Sequence, residues 1–584
     1  MNKQTEKIIT ICGLLCFPAV HFYLLEAYTH NGFTTVRPWS QLCNILLFEL
    51  SAVILALLFR SVKWALRAQG LCVMVIGLVN YYVYTFRSLP LVPWDIFSIG
   101  TAASVADNYN FVPEGRVVAV VLAFAAVLWL EGFCKWDFKR LKWQFGILGA
   151  LLLTVGLTSF AGILQNEDFQ NRHRMYNKLF TPVYLWQSNG FVLTMVMEMP
   201  FMAIEKPAGY DRQKARQILE ENEPKENESK ENQTMGKKPN IIVVMDEAFS
   251  DLGVLGEFEP SEDYMPYFHS IFYGEKNTVT GYLHVSVCGG NTANTEFEFL
   301  TGNTMAFLPQ GSIPYQQYIH SEIPALPAYL QSLGYETYAM HPYYASGWDR
   351  DSVYPLLGFS HMVFLDGFRN RTYVRQYVSD QSCVDKIKDA YEKKEAGKPL
   401  FLFQVTMQNH GSYADVYDNF TPHITVKGAE SYSLSSYLSL LQKTDDSLMD
   451  LISYFSKEKE PAVIVFFGDH QPNDVVAEPI LRLNGKSCRT LSEEDTYLRY
   501  QVPYLIWTNY DMETENNLDM SANYLAGKVL EAAGLPLPAY WNYLKKFQES
   551  YPVFSAARTE KKGSAADLEE YKKLQYYQLF DIEN

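Results

Sequence analysis

The sequence predicts a chain of two differently built parts: an N-terminal α-helical membrane domain of five transmembrane helices (residues 1–165) and an α/β doubly wound domain (residues 239–584), with an interfacial helix and a charged linker (166–238) between them. Three observations carry this. Five apolar runs approach the roughly 20 residues that a helix needs to cross a bilayer core. Charge is unevenly placed: of 49 Lys/Arg and 65 Asp/Glu, twelve and eight lie in residues 1–165, so that part is net +4 and the remainder net −20. After Pro239, short β-branched runs alternate with amphipathic stretches, the pattern of a sheet covered by helices on both faces.

The first span, Ile8 to Tyr28, follows Lys3 and Lys7 and lacks a small-residue cleavage site, so it reads as an anchor rather than a signal peptide. The others are Leu42 to Phe59, Leu71 to Phe86, Val117 to Phe133 and Phe145 to Ile163. Arg60, Lys63 and Arg67 lie between the second and third, and Lys135, Lys139, Arg140 and Lys142 between the fourth and fifth. These alternate basic loops face the cytoplasm, so five spans starting inside deliver the rest of the chain to the outer face. Glu49 falls near the middle of the second span, where a carboxyl group needs a partner or a wet cavity. Arg87 to Asp95 leaves the third span on the outer side, with Trp94 as an interfacial anchor and a cation that could meet a lipid headgroup. Tyr184 to Ile204 is apolar but interrupted by Gln187, Asn189, Gly190, Glu198 and Pro200, which suits a helix in the outer interface better than a sixth crossing. Gln213 to Lys238 is charged and without aromatics, a solvated linker.

Four strand-like runs then end in chemistry-bearing residues. Asn240 to Met245 ends in Asp246-Glu247, Tyr335 to Met340 in His341, Leu400 to Met407 in Asn409-His410, and Ala462 to Gly468 in Asp469-His470. Amphipathic stretches such as Leu326 to Leu333 and Leu434 to Phe455 lie between them. In doubly wound sheets the carboxyl ends of the strands build the site. Two carboxylates, an imidazole and a hydroxyl form an oxygen-rich set for a divalent metal, Mn²⁺ or Mg²⁺ ahead of Zn²⁺ by hardness. The hydroxyl is Thr292, in Cys288-Gly-Gly-Asn-Thr-Ala-Asn-Thr-Glu-Phe, where two glycines make a tight turn before a helix-like run. A metal would lower the pKa of this alcohol enough to make it a nucleophile; a plain N-cap is the competing reading. Arg350 offers a planar fork suited to phosphate, with Asp349 and Asp351 as its nearest candidate ion-pair partners, and His341 and His410 could donate or exchange protons.

The acidic outer part argues against a nucleic-acid partner. Cys288, Cys383 and Cys488 are widely spaced and the chain has no CxxC, so neither a disulfide framework nor a zinc ribbon is supported; Cys288 reads as a small buried hydrophobe.

Met245-Asp-Glu247-Ala-Phe-Ser250, Gly290-Asn-Thr292-Ala-Asn-Thr-Glu-Phe297, His341 with Trp348-Asp-Arg350-Asp, Asn409-His410-Gly and Gly468-Asp469-His470 resemble, in order, the motifs of the lipoteichoic acid synthase family, membrane phosphoglycerol transferases whose outer domain is of the sulfatase and alkaline phosphatase type. The resemblance implies a metal, usually manganese, on Glu247, Thr292, Asp469 and His470, with Thr292 as nucleophile and His341, Trp348, Arg350 and His410 lining a glycerol phosphate pocket. It implies transfer of glycerol phosphate from phosphatidylglycerol to a glycerol phosphate polymer or glycolipid acceptor. Asn291, Ala293 and Asn294 replace the Lys and Ser-Asp usual around the family's nucleophile, so a synthase, a primase and a glycan-modifying transferase all stay open. A phosphoethanolamine transferase shares the threonine and metal and stays open too, as does a hydrolase. A sulfatase needs C/S-x-P-x-R, which no outer cysteine begins. A transporter or an inactive scaffold is the non-enzymatic alternative, weakened by the lack of internal repeats and by the intact set of metal-type residues.

Overall fold

The structure is a computed structural model that describes residues 3–87, 90–98, 113–135, 137, 142–177, 182–202, 204–224, 237–309, 312–488, 490–559 and 563–582. The chain forms two compact units, one ending at Ile204 and the other running from Glu205 to Asn584.

In the first unit the apolar runs form helices Lys3–Ala27, Pro38–Phe59, Val62–Arg87, Gly115–Leu130 and Trp143–Leu164. All five are long and apolar enough to cross a membrane, the fourth by continuing through a 3-10 turn to Phe133. Leu122, Leu151, Leu152 and Val155 stay 60–65% exposed on their surfaces, which suits a hydrocarbon surrounding and not water. Glu49 is half-buried on the second helix. The side chains of Arg87 and Trp94, and residues 139–140, lie outside the described residues.

The segment expected to lie along the interface forms two eight-residue helices, Pro182–Asn189 and Phe191–Glu198, broken at Gly190. At 1.5 Å per residue neither can cross. Trp186, Leu193 and Met197 are buried among the spanning helices. Glu26 accepts a hydrogen bond from the Phe191 amide (2.7 Å) and Asn44 from that of Leu193 (3.0 Å). Those buried acceptors satisfy amides that a helix start leaves open, so the segment wedges inward.

The second unit begins with part of what reads as linker. Arg212–Glu221 is a helix capped by Asp211, whose side chain accepts from the amides of Gln213 and Lys214. Ala215 is buried, and Asn222 receives Asn542 through its carbonyl (3.1 Å). A cap and one apolar contact stripe thus order residues whose composition alone reads as solvated. The most charged stretch, 225–236, lies outside the described residues.

The unit's core is an eight-stranded mixed sheet of β1 (Asn240–Asp246), β2 (Thr278–His284), β3 (Glu336–Met340), β4 (His361–Val363), β7 (Leu400–Val405), β8 (Ala462–Gly468), β9 (Gln501–Thr508) and β10 (Met520–Ser521), in the order β10-β2-β9-β8-β1-β7-β3-β4; β5 (Tyr373–Val374) and β6 (Tyr377–Val378) form a separate ribbon. β1 pairs in parallel with β7 and β8, and β3 with β7 and β4. β9 runs antiparallel to β8 and β2. β1, β7 and β8 are buried throughout, as parallel strands covered on both faces must be. Helix Tyr432–Phe455 joins Ile242, Val244 and Ile464 in the core of one face, while Phe299 of helix Thr292–Thr301 packs on Phe403 and Phe467 from the other. The doubly wound arrangement therefore holds, with β9 alone running against the other strands of the sheet; Pro503 is accommodated because the pairing of β9 with β8 starts only at Tyr504. The consequence for chemistry is directional: β1, β3, β7 and β8 end on one edge, carrying Glu247, His341, His410 and Asp469-His470 to it.

Candidate active site

Glu247 is held where β1 ends by a hydrogen bond from its amide to Thr406 Oγ1 (3.1 Å). Asp246, one residue earlier, accepts from Thr406 (3.0 Å) and Asn409 (2.9 Å), locking the ends of β1 and β7 together behind the site. Gly468 permits the next contact: a Cβ there would lie 1.9 Å from the Phe249 carbonyl oxygen, so only glycine lets β8 pass the loop that follows Glu247. Asp469 then receives the amides of Ala248 (2.7 Å) and His470 (2.8 Å) on Oδ1.

Thr292 arrives from the other face. Gly289 (φ 74), Gly290 (φ 155) and Asn291 (φ 67) all take left-handed backbone, which two glycines and an asparagine adopt at little cost. Asn291 is the N-cap residue and Thr292 the first helical one. Its hydroxyl is thus not a cap; it donates to Glu247 Oε2 at 3.4 Å.

The four residues meet in one buried place. One ligand-type atom each from Glu247, Asp469 and His470 lie within 4.8 Å of one another. His470 Nε2 is 3.3 Å from Asp469 Oδ2 and 3.7 Å from Glu247 Oε1. His470 Nδ1 donates to the Gln471 carbonyl (2.9 Å), fixing the ring with Nε2 turned toward the carboxylates. Asp469 Oδ2 and His470 Nε2 are buried without a hydrogen-bond partner among the described residues. Burial, then the field of Asp469, pushes the Glu247 carboxyl up to about 8. Orphaned donor atoms converging beside two buried carboxylates fit a divalent cation, because a buried unpaired carboxylate oxygen otherwise costs about 1–3 kcal/mol or more.

Around this cluster stand the other expected residues. Arg350 is 2% exposed and its field reaches Glu247 and His341. Its ion pair is with neither Asp349 nor Asp351 but with Glu296, one helical turn past Thr292. The local sequence suggests the adjacent aspartates, yet Asp349 and Trp348 both have left-handed backbone (φ 55 and 58), which turns the chain so that Arg350 faces the helix across the sheet edge. Trp348 sits in that turn, half-buried. His341 donates from Nδ1 to the Val405 carbonyl (3.3 Å) and His410 to that of Gly411 (2.8 Å). Desolvation and nearby cations hold both imidazoles below their ordinary 6.5, so each is neutral with Nε2 as an acceptor. Cys288 is half-buried rather than buried, on the turn before Gly289.

One positioning residue has no motif to announce it. Arg375 (φ 57), between β5 and β6, is 4% exposed and donates to the carbonyls of Gln408, His410 and Ser412, all at 2.7 Å. It clamps the loop that carries His410.

A neutral buried histidine implies a pH signature. The unfolded chain takes up this proton near 6.5 and the folded one resists it, so the stability contributed is complete above that pH and is lost as pH falls below it. The unfolding midpoint is expected to drop between pH 7 and 5, and less steeply in His341→Gln; parallel curves would show that His341 is not the group responsible.

Residues 239–535 match the sulfatase family model. A protein of Rhizobium meliloti (strain 1021) named for cyclic beta-1,2-glucan modification is 28% identical over 552 residues, 90% of this chain and 83% of that one. Lipoteichoic acid synthase of Staphylococcus aureus (strain USA300) is 27% identical over 248 residues, 40% of this chain and 36% of that one. Among solved structures, Streptococcus pyogenes phosphoglycerol transferase GacH in complex with sn-glycerol-1-phosphate aligns with TM-score 0.52 and 22% identity over 65% of this chain and all of that one. The integral membrane lipooligosaccharide phosphoethanolamine transferase A of Neisseria meningitidis aligns with TM-score 0.51 and 15% identity over 90% of this chain and 95% of that one. With more than half of its residues on the family model, the chain belongs to the sulfatase family, and over 40% of its length it is similar to lipoteichoic acid synthases.

Proposed function

We propose that the protein is a membrane-bound phosphoglycerol transferase that moves glycerol phosphate from phosphatidylglycerol to a glycan or glycerol phosphate acceptor, by way of Thr292. The observation that carries this is the Thr292 hydroxyl, 3.4 Å from Glu247 at the buried cluster of Glu247, Asp469 and His470. Glu247, Asp469, His470 and Thr292 would hold a divalent ion, Mn²⁺ by the predominance of hard oxygen donors. When bound, that ion supplies positive charge to the threonine oxygen and to the phosphoryl oxygens.

In the first step Thr292 Oγ forms a bond to phosphorus, the bond from phosphorus to the diacylglycerol oxygen breaks, and the proton given up by Thr292 ends on the expelled alcohol. In the second, an acceptor hydroxyl oxygen bonds to phosphorus, the bond to Thr292 breaks, and the threonine regains a proton. Arg350 directs its guanidinium at a phosphoryl oxygen. The bare Nε2 atoms of His341 and His410 accept from the headgroup hydroxyls, and Trp348 covers the glycerol. The relative named for glucan modification, similar along nearly the whole chain, supports a glycan acceptor. The alternating basic loops support a cytoplasmic N-terminus and an extracellular catalytic domain in the cell membrane.

Phosphoethanolamine transfer is the second reading, favoured by the likeness to a phosphoethanolamine transferase across both parts of the chain. The test is mass spectrometry of the purified protein after incubation with phosphatidylglycerol or with phosphatidylethanolamine. A glycerophosphate adduct on Thr292 with release of diacylglycerol is the expected result. An ethanolamine phosphate adduct would select the second reading, and no adduct from either lipid would remove both.

A further inference from the structure

We propose that Glu296 is a specificity-determining positioning residue: by pairing with Arg350 it makes the phosphate-facing cation part of a neutral unit, and so tunes the site for a singly charged phosphodiester over a doubly charged phosphomonoester. The inference rests on the phosphotransfer reading above and goes beyond it in assigning a role to a residue outside the metal cluster.

Glu296 is 0% exposed and four residues after Thr292, hence on the same face of helix Thr292–Thr301. Its Oε1 takes Arg350 Nη2 at 2.5 Å and Nε at 3.1 Å, and its Oε2 takes the Tyr354 hydroxyl at 2.8 Å. One edge of the guanidinium is therefore fully engaged. Nη1 has a 3.3 Å bond to the Gly347 carbonyl and no contact with Glu296. A single rigid helix thus carries both the nucleophile and the anchor of the phosphate-facing cation, and sets the distance between them.

The pairing also changes what the cation selects. An unpaired buried guanidinium would favour the ligand with most negative charge. Paired with Glu296, Arg350 offers direction more than net charge, so the second negative charge of a dianion gains little there over a monoanion. A diester is then the better substrate.

The test uses the full chain in detergent with Mn²⁺, and measures kcat/KM for bis-p-nitrophenyl phosphate and for p-nitrophenyl phosphate. In Glu296→Gln, which keeps the shape and removes the charge, the diester-to-monoester ratio is expected to fall on the order of tenfold. Adding Arg350→Gln to that variant should change the ratio little from Arg350→Gln alone, since the pair acts as a unit. Glu296→Asp keeps the charge and should keep the ratio even where kcat falls. Equal loss on both esters in Glu296→Gln, or a shifted ratio in Glu296→Asp, would overturn the role. The Thr292 adduct is measured in the same preparations: its absence in the unmutated protein counts against the transfer reading, whereas an adduct with unaltered selectivity counts against Glu296 alone.

Discussion

Thr292→Ala is expected to leave no measurable transfer, a loss of about four orders of magnitude or more, because among the described residues it is the Thr292 hydroxyl that donates to a carboxylate of the cluster and would form the covalent intermediate. The protein should otherwise be little disturbed. The hydroxyl makes one long hydrogen bond, 3.4 Å to Glu247, worth about 1 kcal/mol or less, and alanine is well tolerated at the first position of a helix. An unchanged unfolding midpoint with metal still bound is therefore part of the expectation. Thr292→Ser should recover part of the activity, since it restores the oxygen. Turnover surviving in the alanine variant would sink the nucleophile assignment whatever the adduct chemistry shows.

The second large effect concerns the cation. Chelation should abolish turnover and lower the unfolding midpoint, and Mn²⁺ at a hundredfold excess over its dissociation constant should restore about 2.7 kcal/mol. Asp469→Asn is expected to lose both the activity and the metal-induced shift. In metal-free buffer, however, that variant should be no less stable than the parent. Asparagine retains the Oδ1 that accepts the amides of Ala248 and His470, while it removes the buried charge that, with burial, pushes Glu247 up to about 8. Calorimetry with and without metal, alongside elemental analysis, reads both outcomes. A chelated protein that still turns over, or an Asp469→Asn variant that retains a full equivalent of metal, would contradict the proposed site.

These expectations draw unequally on sequence and fold. The five spans were legible because a run of apolar residues long enough to cross a bilayer is a local property. The strand ends were legible for a related reason: a short apolar run followed within a few residues by Asp-Glu, Asn-His or Asp-His marks both a buried strand and its exit. The short helices around Gly190 were not, since what draws Phe191–Glu198 inward is Glu26 and Asn44, on helices far back in the chain. Neither was the order in Arg212–Glu221, whose charged composition conceals a capped helix.

Within the site the division is the same. Residue types at strand ends determined, without coordinates, that Glu247, Asp469 and His470 are candidates for one pocket and that Thr292 follows a turn built for close approach. Only the tertiary structure decided that this threonine faces Glu247 rather than capping its own helix, that Arg350 takes Glu296 over its two neighbouring aspartates, and that Arg375 holds the loop of His410. Side-chain partners across hundreds of residues depend on strand order and on backbone turns such as the left-handed pair at Trp348 and Asp349. Hydrophobic patterning carries no record of them, because it acts through the area a residue buries and is blind to direction, whereas an ion pair or a hydrogen bond exists only where geometry brings its two ends together.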